Sequence, residues 1–398
     1  MNDATNADAA GEERPAWWAV VSMSLGVFGL VGSEFLPASL LTPIAAELGV
    51  TEGMAGQAVT TTAAVALITS LVITALIRRI DRRKVLLGFS VLLILSNLLV
   101  AVAPNLPLLL AGRIALGVAL GGFWTLSAAT VMRLVPERFV PRALSVLFTG
   151  VSAATLFAAP AGSYLGDLAG WRVVFLAAAG LGALALVTQF LALPSLAPRG
   201  HSRFGTMIEV VSRRTVGLAM IAILLVFTGH FAFFTYIRPF LENVTQVGVT
   251  GISVILLGFG IANLAGNYLG AFLFERSMRF TLTVMPLVMG TLALVLSRLG
   301  GNVAVDAAMV AIWGLAFGAV PVAWSTWITR AVPDETESAG GLFVAAINLA
   351  IATGAAAGGF IFDTSGIESV FAVSGAVLIV AAVTILTAVV TRPAAEAA

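Results

Sequence analysis

Twelve stretches of this 398-residue chain carry no charged side chain, and most are long enough to cross a bilayer as a helix. They are 15–33, 53–77, 85–112, 114–132, 143–166, 173–198, 215–229, 243–274, 280–297, 307–329, 338–362 and 369–391. The first continues past Glu34 and the seventh past His230. A bilayer core needs ~20 apolar residues of helix. Inside it each backbone polar group must be satisfied within the protein, so only helices and closed barrels span it. Barrel strands alternate in segments of ~10 residues, and these runs do not. The chain therefore reads as an all-α membrane protein with twelve transmembrane helices. Its 10% of charged residues stands against roughly 25% in soluble proteins. Forty glycines suit helices packed closely in lipid. With no cysteine and only two histidines, His201 and His230, no metal-ligand set is expected. No nucleotide-binding loop or cluster of acid/base groups suggests an enzyme, and no cofactor is expected. The polar, acidic start does not read as a cleavable leader, because the apolar run after it is too long.

Orientation follows from the cations. Of 21 Lys and Arg, seventeen lie in the tails or after even-numbered spans, including Arg14, Arg78, Arg79, Arg82, Arg83, Lys84, Arg133, Arg199, Arg203 and Arg392. Arg113, Arg172, Arg238 and Arg298 fall elsewhere. The positive-inside rule then puts both termini in the cytoplasm.

The longest polar interruption runs from Pro194 to Arg214, near the middle of the chain. The expected organisation is a tail at 1–16, a six-helix bundle at 17–193, a cytoplasmic linker at 194–214, a second bundle at 215–390 and a tail at 391–398. Self-comparison supports two pseudo-symmetric bundles. Met132-Arg133-Leu134-Val135-Pro136-Glu137 matches Thr329-Arg330-Ala331-Val332-Pro333-Asp334 at an offset of 197. The same offset carries Gly117 onto Gly314 and Gly121 onto Gly318. Asp81-Arg82 falls near Glu275-Arg276, and Asp167 near Asp363.

Glu34 is the anomaly in the first span. A charge at membrane depth costs ~2.5–3.5 kcal/mol on insertion scales, so such groups are kept for function or paired. At 1.5 Å per residue Glu34 lies ~25 Å up span 1 from the cytoplasmic side, and Arg113 ~9 Å down span 4 from the opposite, outer side. The two fall at similar depth. They read either as a switchable pair that loads and releases a proton or as a fixed ion pair. His230 titrates near neutral pH in water, and reads either as a proton-coupling group or as a structural hydrogen-bond partner. Arg238 ends span 7 beside Phe234 and Tyr236 and either snorkels to the interface or meets substrate. The cationic cluster around Arg82 suits anionic lipid.

Several motifs carry a family resemblance. Asp81-Arg82-Arg83-Lys84 lies between spans 2 and 3. Arg113-Ile-Ala-Leu-Gly117 opens span 4, Ala159-Pro160-Ala161-Gly162 lies in span 5, and Trp171-Arg172 opens span 6. With these the chain resembles the major facilitator superfamily, in its twelve-helix drug:proton antiporter group, whose binding site lies between two six-helix halves. Four strings narrow the likeness. They are Glu34-Phe35-Leu36-Pro37, Gly121-Gly122-Phe123-Trp124, Phe231-Ala232-Phe233-Phe234-Thr235-Tyr236-Ile237-Arg238-Pro239 and Trp324-Ser325-Thr326-Trp327. Together they are similar to bacterial purine ribonucleoside efflux pumps. Exporters of sugars or of multiple drugs are the alternative.

The resemblance implies proton-coupled export of nucleosides such as inosine and guanosine by a monomer of the bacterial inner membrane. Glu34, Arg113 and His230 are then the coupling candidates. Phe231, Phe234, Tyr236, Arg238, Trp324, Asn348 and Asn97 are candidates for substrate, offering flat faces for the base and polar groups for its edge and ribose. Asp81, Arg82, Pro160 and Gly162 are expected to serve the conformational change. The partners are the nucleoside, protons and membrane lipid, with no nucleic acid.

Overall fold

The computed structural model describes residues 15–77, 79–197, 209–332 and 335–389. Arg14, Arg78, Arg199, His201, Arg203, Pro333, Asp334 and Arg392 lie outside them. Twelve helices long and apolar enough to cross a membrane appear among the described residues. Spans 1 to 6 are Trp17–Ser39, Glu52–Leu76, Arg82–Ala101, Leu106–Val131, Val140–Ala169 and Trp171–Ala192. Spans 7 to 12 are Arg214–Thr235, Val249–Arg276, Met278–Leu299, Val303–Ala331, Thr336–Ser365 and Ile367–Ala388. An even number of crossings returns both termini to one face. The opposite face is called distal below.

The repeat seen in the sequence recurs in the helix ends. Asp81 caps span 3 and Ser277 caps span 9; Asn105 caps span 4 and Asn302 caps span 10. In each case the side-chain oxygen accepts a free amide of the first turn. Gly170 and Gly366, with φ of +86° and +81°, make the tight turns from span 5 to 6 and from span 11 to 12. A side chain at these φ values would be strained. Spans 1 and 7 both break near their distal ends into short helices, Leu41–Leu48 and Ile237–Asn243. All these pairs are related by an offset of 196 or 197. The cap that matches Asp81 is thus Ser277, just beyond the Glu275-Arg276 pair.

Packing repeats as well. A Cβ on Gly117 would meet the Thr62 carbonyl oxygen, and one on Gly121 the Ala66 carbonyl, both of span 2. In the other half Gly314 faces the Phe259 carbonyl and Gly318 the Asn263 carbonyl, both of span 8. The contacted residues obey the same offset of 197 as the glycines. These glycines let the two backbones touch, as helices in lipid require when dispersion is the main attraction. In span 5, Gly150 does the same against the Ser24 carbonyl of span 1, while Gly162 and Gly166 make room for the side chains of Ser39 and Leu40, with Pro160 inside that helix.

Span 2 packs on span 11 and span 5 on span 8, joining the halves. At the distal end side chains complete the seam. Arg238, buried, donates to the Ser39 carbonyl at 2.5 Å and to Ser163 Oγ at 3.4 Å, while its Nε pairs with Glu242 at 2.7 Å. Thr42 donates to the other Glu242 oxygen. Asp363 accepts from Thr51 Oγ1 at 2.7 Å and from the Gly53 amide at 3.1 Å. One half thus contributes carboxylates and a guanidinium, and the other hydroxyls and backbone groups.

Candidate functional site

Glu34 sits in span 1 a little before its break, 8% exposed, and Arg113 of span 4 is completely buried beside it. The guanidinium does not meet the carboxylate. It donates instead to three backbone carbonyls: Ser33 at 2.9 Å, Ala58 at 3.3 Å and Glu34 itself at 3.5 Å. Arg113 therefore staples span 4 to spans 1 and 2. Its charge stays near a carboxylate that has no hydrogen-bond or ion-pair partner among the described residues. A carboxyl so placed is free to take up or lose a proton without breaking a salt bridge. Both residues belong to the first half, so rocking of the halves does not separate them.

Asn97 of span 3 is fully buried behind this pair, where its amide donates to Ser33 Oγ and to the Leu93 carbonyl, both at 3.0 Å. Its carbonyl oxygen and the neighbouring Ser96 hydroxyl have no partner.

Across the seam, His230 occupies in span 7 the position that Glu34 occupies in span 1, at an offset of 196. The two titratable groups thus stand at corresponding levels of the two halves. His230 is enclosed by aromatics. Phe317 stacks on its ring at 3.3 Å and 3°, Phe234 lies parallel at 5.6 Å, and Phe231 stands edge-on at 4.9 Å. The Trp313 indole N–H donates to His230 Nδ1 at 3.0 Å. Trp313 is itself stacked on Phe233 at 3.7 Å. Phe35, next to Glu34, meets Phe234 edge-on at 5.7 Å, so the acidic and aromatic clusters touch across the seam.

The other candidates are dispersed. Tyr236 is buried at the distal end, donating to the Ala355 carbonyl at 2.9 Å, and Arg238 belongs to the distal clasp. Trp324 lies about three turns beyond Trp313 in span 10, buried edge-on to Trp327. Asn348, in span 11, donates to the Val344 carbonyl of its own helix at 2.9 Å. So Glu34, Arg113 and Asn97 gather on one side of the seam and His230, Phe231 and Phe234 on the other. Tyr236 and Arg238 lie distal to both groups.

On the terminal face, Asp81 ties the start of span 3 to the segment after span 6. It accepts from Ser195 Oγ at 2.5 Å, from the Leu196 amide at 3.0 Å and from the Arg83 amide at 2.8 Å. The Ser195 hydroxyl and these amides hold its carboxyl below the usual carboxylate range. The tie is therefore complete at neutral pH and weakens only as the pH falls through that lowered value. Arg82 donates to the Ile77 carbonyl at 3.2 Å.

Sequence reasoning missed the acceptors of the distal clasp, Glu242 and Asp363, and the pairing of Trp313 with His230. Carboxylates at the distal ends of spans 7 and 11 were the available signal for the first.

Twelve spans in two packed repeats, with an unpaired carboxylate at their seam, define a multi-pass membrane protein of the repeat-built transporter type. The chain belongs to the Major Facilitator Superfamily, whose family profile matches residues 23–344. It is 48% identical over 379 residues to the purine ribonucleoside efflux pump NepI of Escherichia coli K12, covering 95% of this chain and 96% of that one. The protein of the same name from Shigella flexneri matches equally. Among solved structures, a bacterial homologue of the human lysosomal transporter Spinster, inward-facing and unoccupied, superposes with a TM-score of 0.79. It covers 94% of this chain and 97% of that one at 15% identity. Its occupied form gives 0.74 at 14% identity. These last two establish the shared fold.

Proposed function

We propose that this protein exports purine ribonucleosides such as inosine and guanosine from a bacterial cell in exchange for protons. The observation that carries the reading is the 48% identity to NepI pumps along almost the whole of both chains. In this reading the protein is a monomer of the inner membrane with both termini cytoplasmic, and residues 194–214 link the two bundles. The distal face is then the outer face, sealed here by the Arg238, Glu242 and Asp363 clasp. The substrate enters between the halves from the cytoplasm. Glu34 carries the proton, and Arg113 holds a positive charge beside it while fixing spans 1 and 2. The aromatics of span 7, Phe231 and Phe234, supply apolar faces for the base. Stacking of a base on an aromatic ring is worth ~1–3 kcal/mol in single-strand binders. Pro160 and the glycines of span 5 supply a close, deformable contact with span 1 inside the first half, next to the span 5–span 8 contact along which the halves rock. Asp81 and Arg82 keep the end of span 6 tied to span 3 while they do so.

A competition panel tests the substrate class. Uptake of labelled inosine into inverted vesicles is expected to be suppressed by excess guanosine, and left unchanged by arabinose or by a lipophilic cationic drug. Suppression by arabinose or the drug, with guanosine inert, would replace this reading by a sugar or multidrug exporter.

A further inference from the structure

We infer that His230 reads the purine ring itself, through an Nε2–H held in one direction and donated to the acceptor nitrogen N7 of the bound base. The inference rests on the nucleoside reading above. Neutral imidazole carries its proton on one nitrogen and accepts on the other. The Trp313 indole is a donor only and points at Nδ1 at 3.0 Å. A proton on Nδ1 would face that N–H, so the proton belongs on Nε2. The indole cannot readily turn away, because it is fully buried and stacked on Phe233. Phe317 covers one face of the imidazole at 3.3 Å and Phe234 lies parallel to it at 5.6 Å, which leaves only the ring edge to offer.

That edge has no protein partner among the described residues, although the ring is only 2% exposed. Once a bound base covers that edge, a donor left unpaired there costs about 1–3 kcal/mol. A chain that fixes the tautomer with one indole and covers the ring face with Phe317 has prepared a single donor for an acceptor that arrives. The repeat places the acceptor's route. His230 corresponds to Glu34 at the seam, and Phe234, one turn on, already touches Phe35 of the other half. Among purine atoms N7 is an acceptor in adenine and guanine alike. Hypoxanthine carries it too, and the pyrimidine ring has no counterpart. A donor-only edge aimed there explains selection for purines as a class. His230 is thus a specificity-determining residue, and Trp313 is the positioning residue that sets its tautomer.

The test uses the full-length protein in proteoliposomes and 7-deazainosine, in which a C–H group replaces N7. The readout is the ratio of the concentrations of 7-deazainosine and inosine that halve uptake of labelled inosine. For the wild type the ratio is expected to be about tenfold, because loss of one partner leaves the donor buried and unpaired. For His230→Leu the ratio falls to about one, since neither compound then meets a donor. His230→Gln, which carries an amide donor on a side chain of similar reach, keeps a ratio well above that of the leucine variant. Trp313→Phe, which removes the lock and keeps a flat apolar ring, lowers the ratio. A ratio is insensitive to how much of a variant is folded, so partial misfolding does not mimic the result. A wild-type ratio near one with normal inosine uptake overturns this inference and leaves the export function standing. So does a ratio that persists in His230→Leu. Absence of any inosine uptake by the wild type overturns the functional reading and this inference together.

Discussion

Glu34→Gln is expected to insert and fold like the wild type and to lose all proton-driven accumulation of nucleoside. Glutamine matches the shape of the neutral acid, so the packing of span 1 is kept. It has no proton to exchange. For one-to-one exchange a pH difference of one unit is worth about 1.4 kcal/mol, which supports roughly tenfold accumulation. The wild type should approach that limit and the variant should only equilibrate. Passive exchange of labelled for unlabelled inosine should survive in the variant, because it needs no proton. The Arg113 guanidinium, held by Ser33, Ala58 and Glu34 carbonyls rather than by the carboxylate, keeps its anchors when the charge of Glu34 is removed. A variant that still concentrates inosine against its gradient would remove Glu34 from the coupling mechanism.

Locking the distal clasp should be equally severe. Thr51 and Asp363 face each other across the seam, hydrogen-bonded at 2.7 Å and exposed to reagents. The chain has no cysteine of its own, so Thr51→Cys with Asp363→Cys gives one defined pair of thiols. Before cross-linking, the pair retains transport, since each half keeps its other contacts. A short, cleavable thiol-specific bridge should then stop net transport at the level of empty vesicles, and a reductant should restore it. The reason is that the distal ends must part once in each cycle. Charge-assisted hydrogen bonds such as those of Arg238 are worth ~1.5–3 kcal/mol each. The cycle can break and remake them, whereas it cannot break a covalent bridge. Undiminished transport by the cross-linked protein would mean that these ends do not open.

What the sequence made legible were the features that repeat locally. Twelve charge-free runs became twelve spans because lipid forces each run to satisfy its own backbone. The offset between Gly121 and Gly318 became a repeated backbone contact, since a glycine facing a carbonyl is a local signature of close helices. Glu34 stood out for a reason that needs no structure, the cost of its charge. The clasp was not legible. Arg238 meets Ser39 across 199 positions of sequence, and only the docking of the halves brings them together. Nor did the chain announce that Arg113 would choose carbonyls over the carboxylate at equal depth. That choice depends on where spans 1 and 2 present their backbone oxygens. His230 had been legible as a titratable group. Trp313, 83 positions away, turns it into a donor of fixed direction.

The central claim is that a proton gradient alone moves purine nucleosides through this protein. The direct measurement places the purified protein in liposomes with equal inosine on both sides and an acidic lumen. Inosine is then predicted to accumulate inside, by roughly tenfold per pH unit for one-to-one exchange, and to leave again when an ionophore collapses the gradient. Inosine that remains equal on both sides, or that moves out of the acidic lumen, would contradict proton-coupled export.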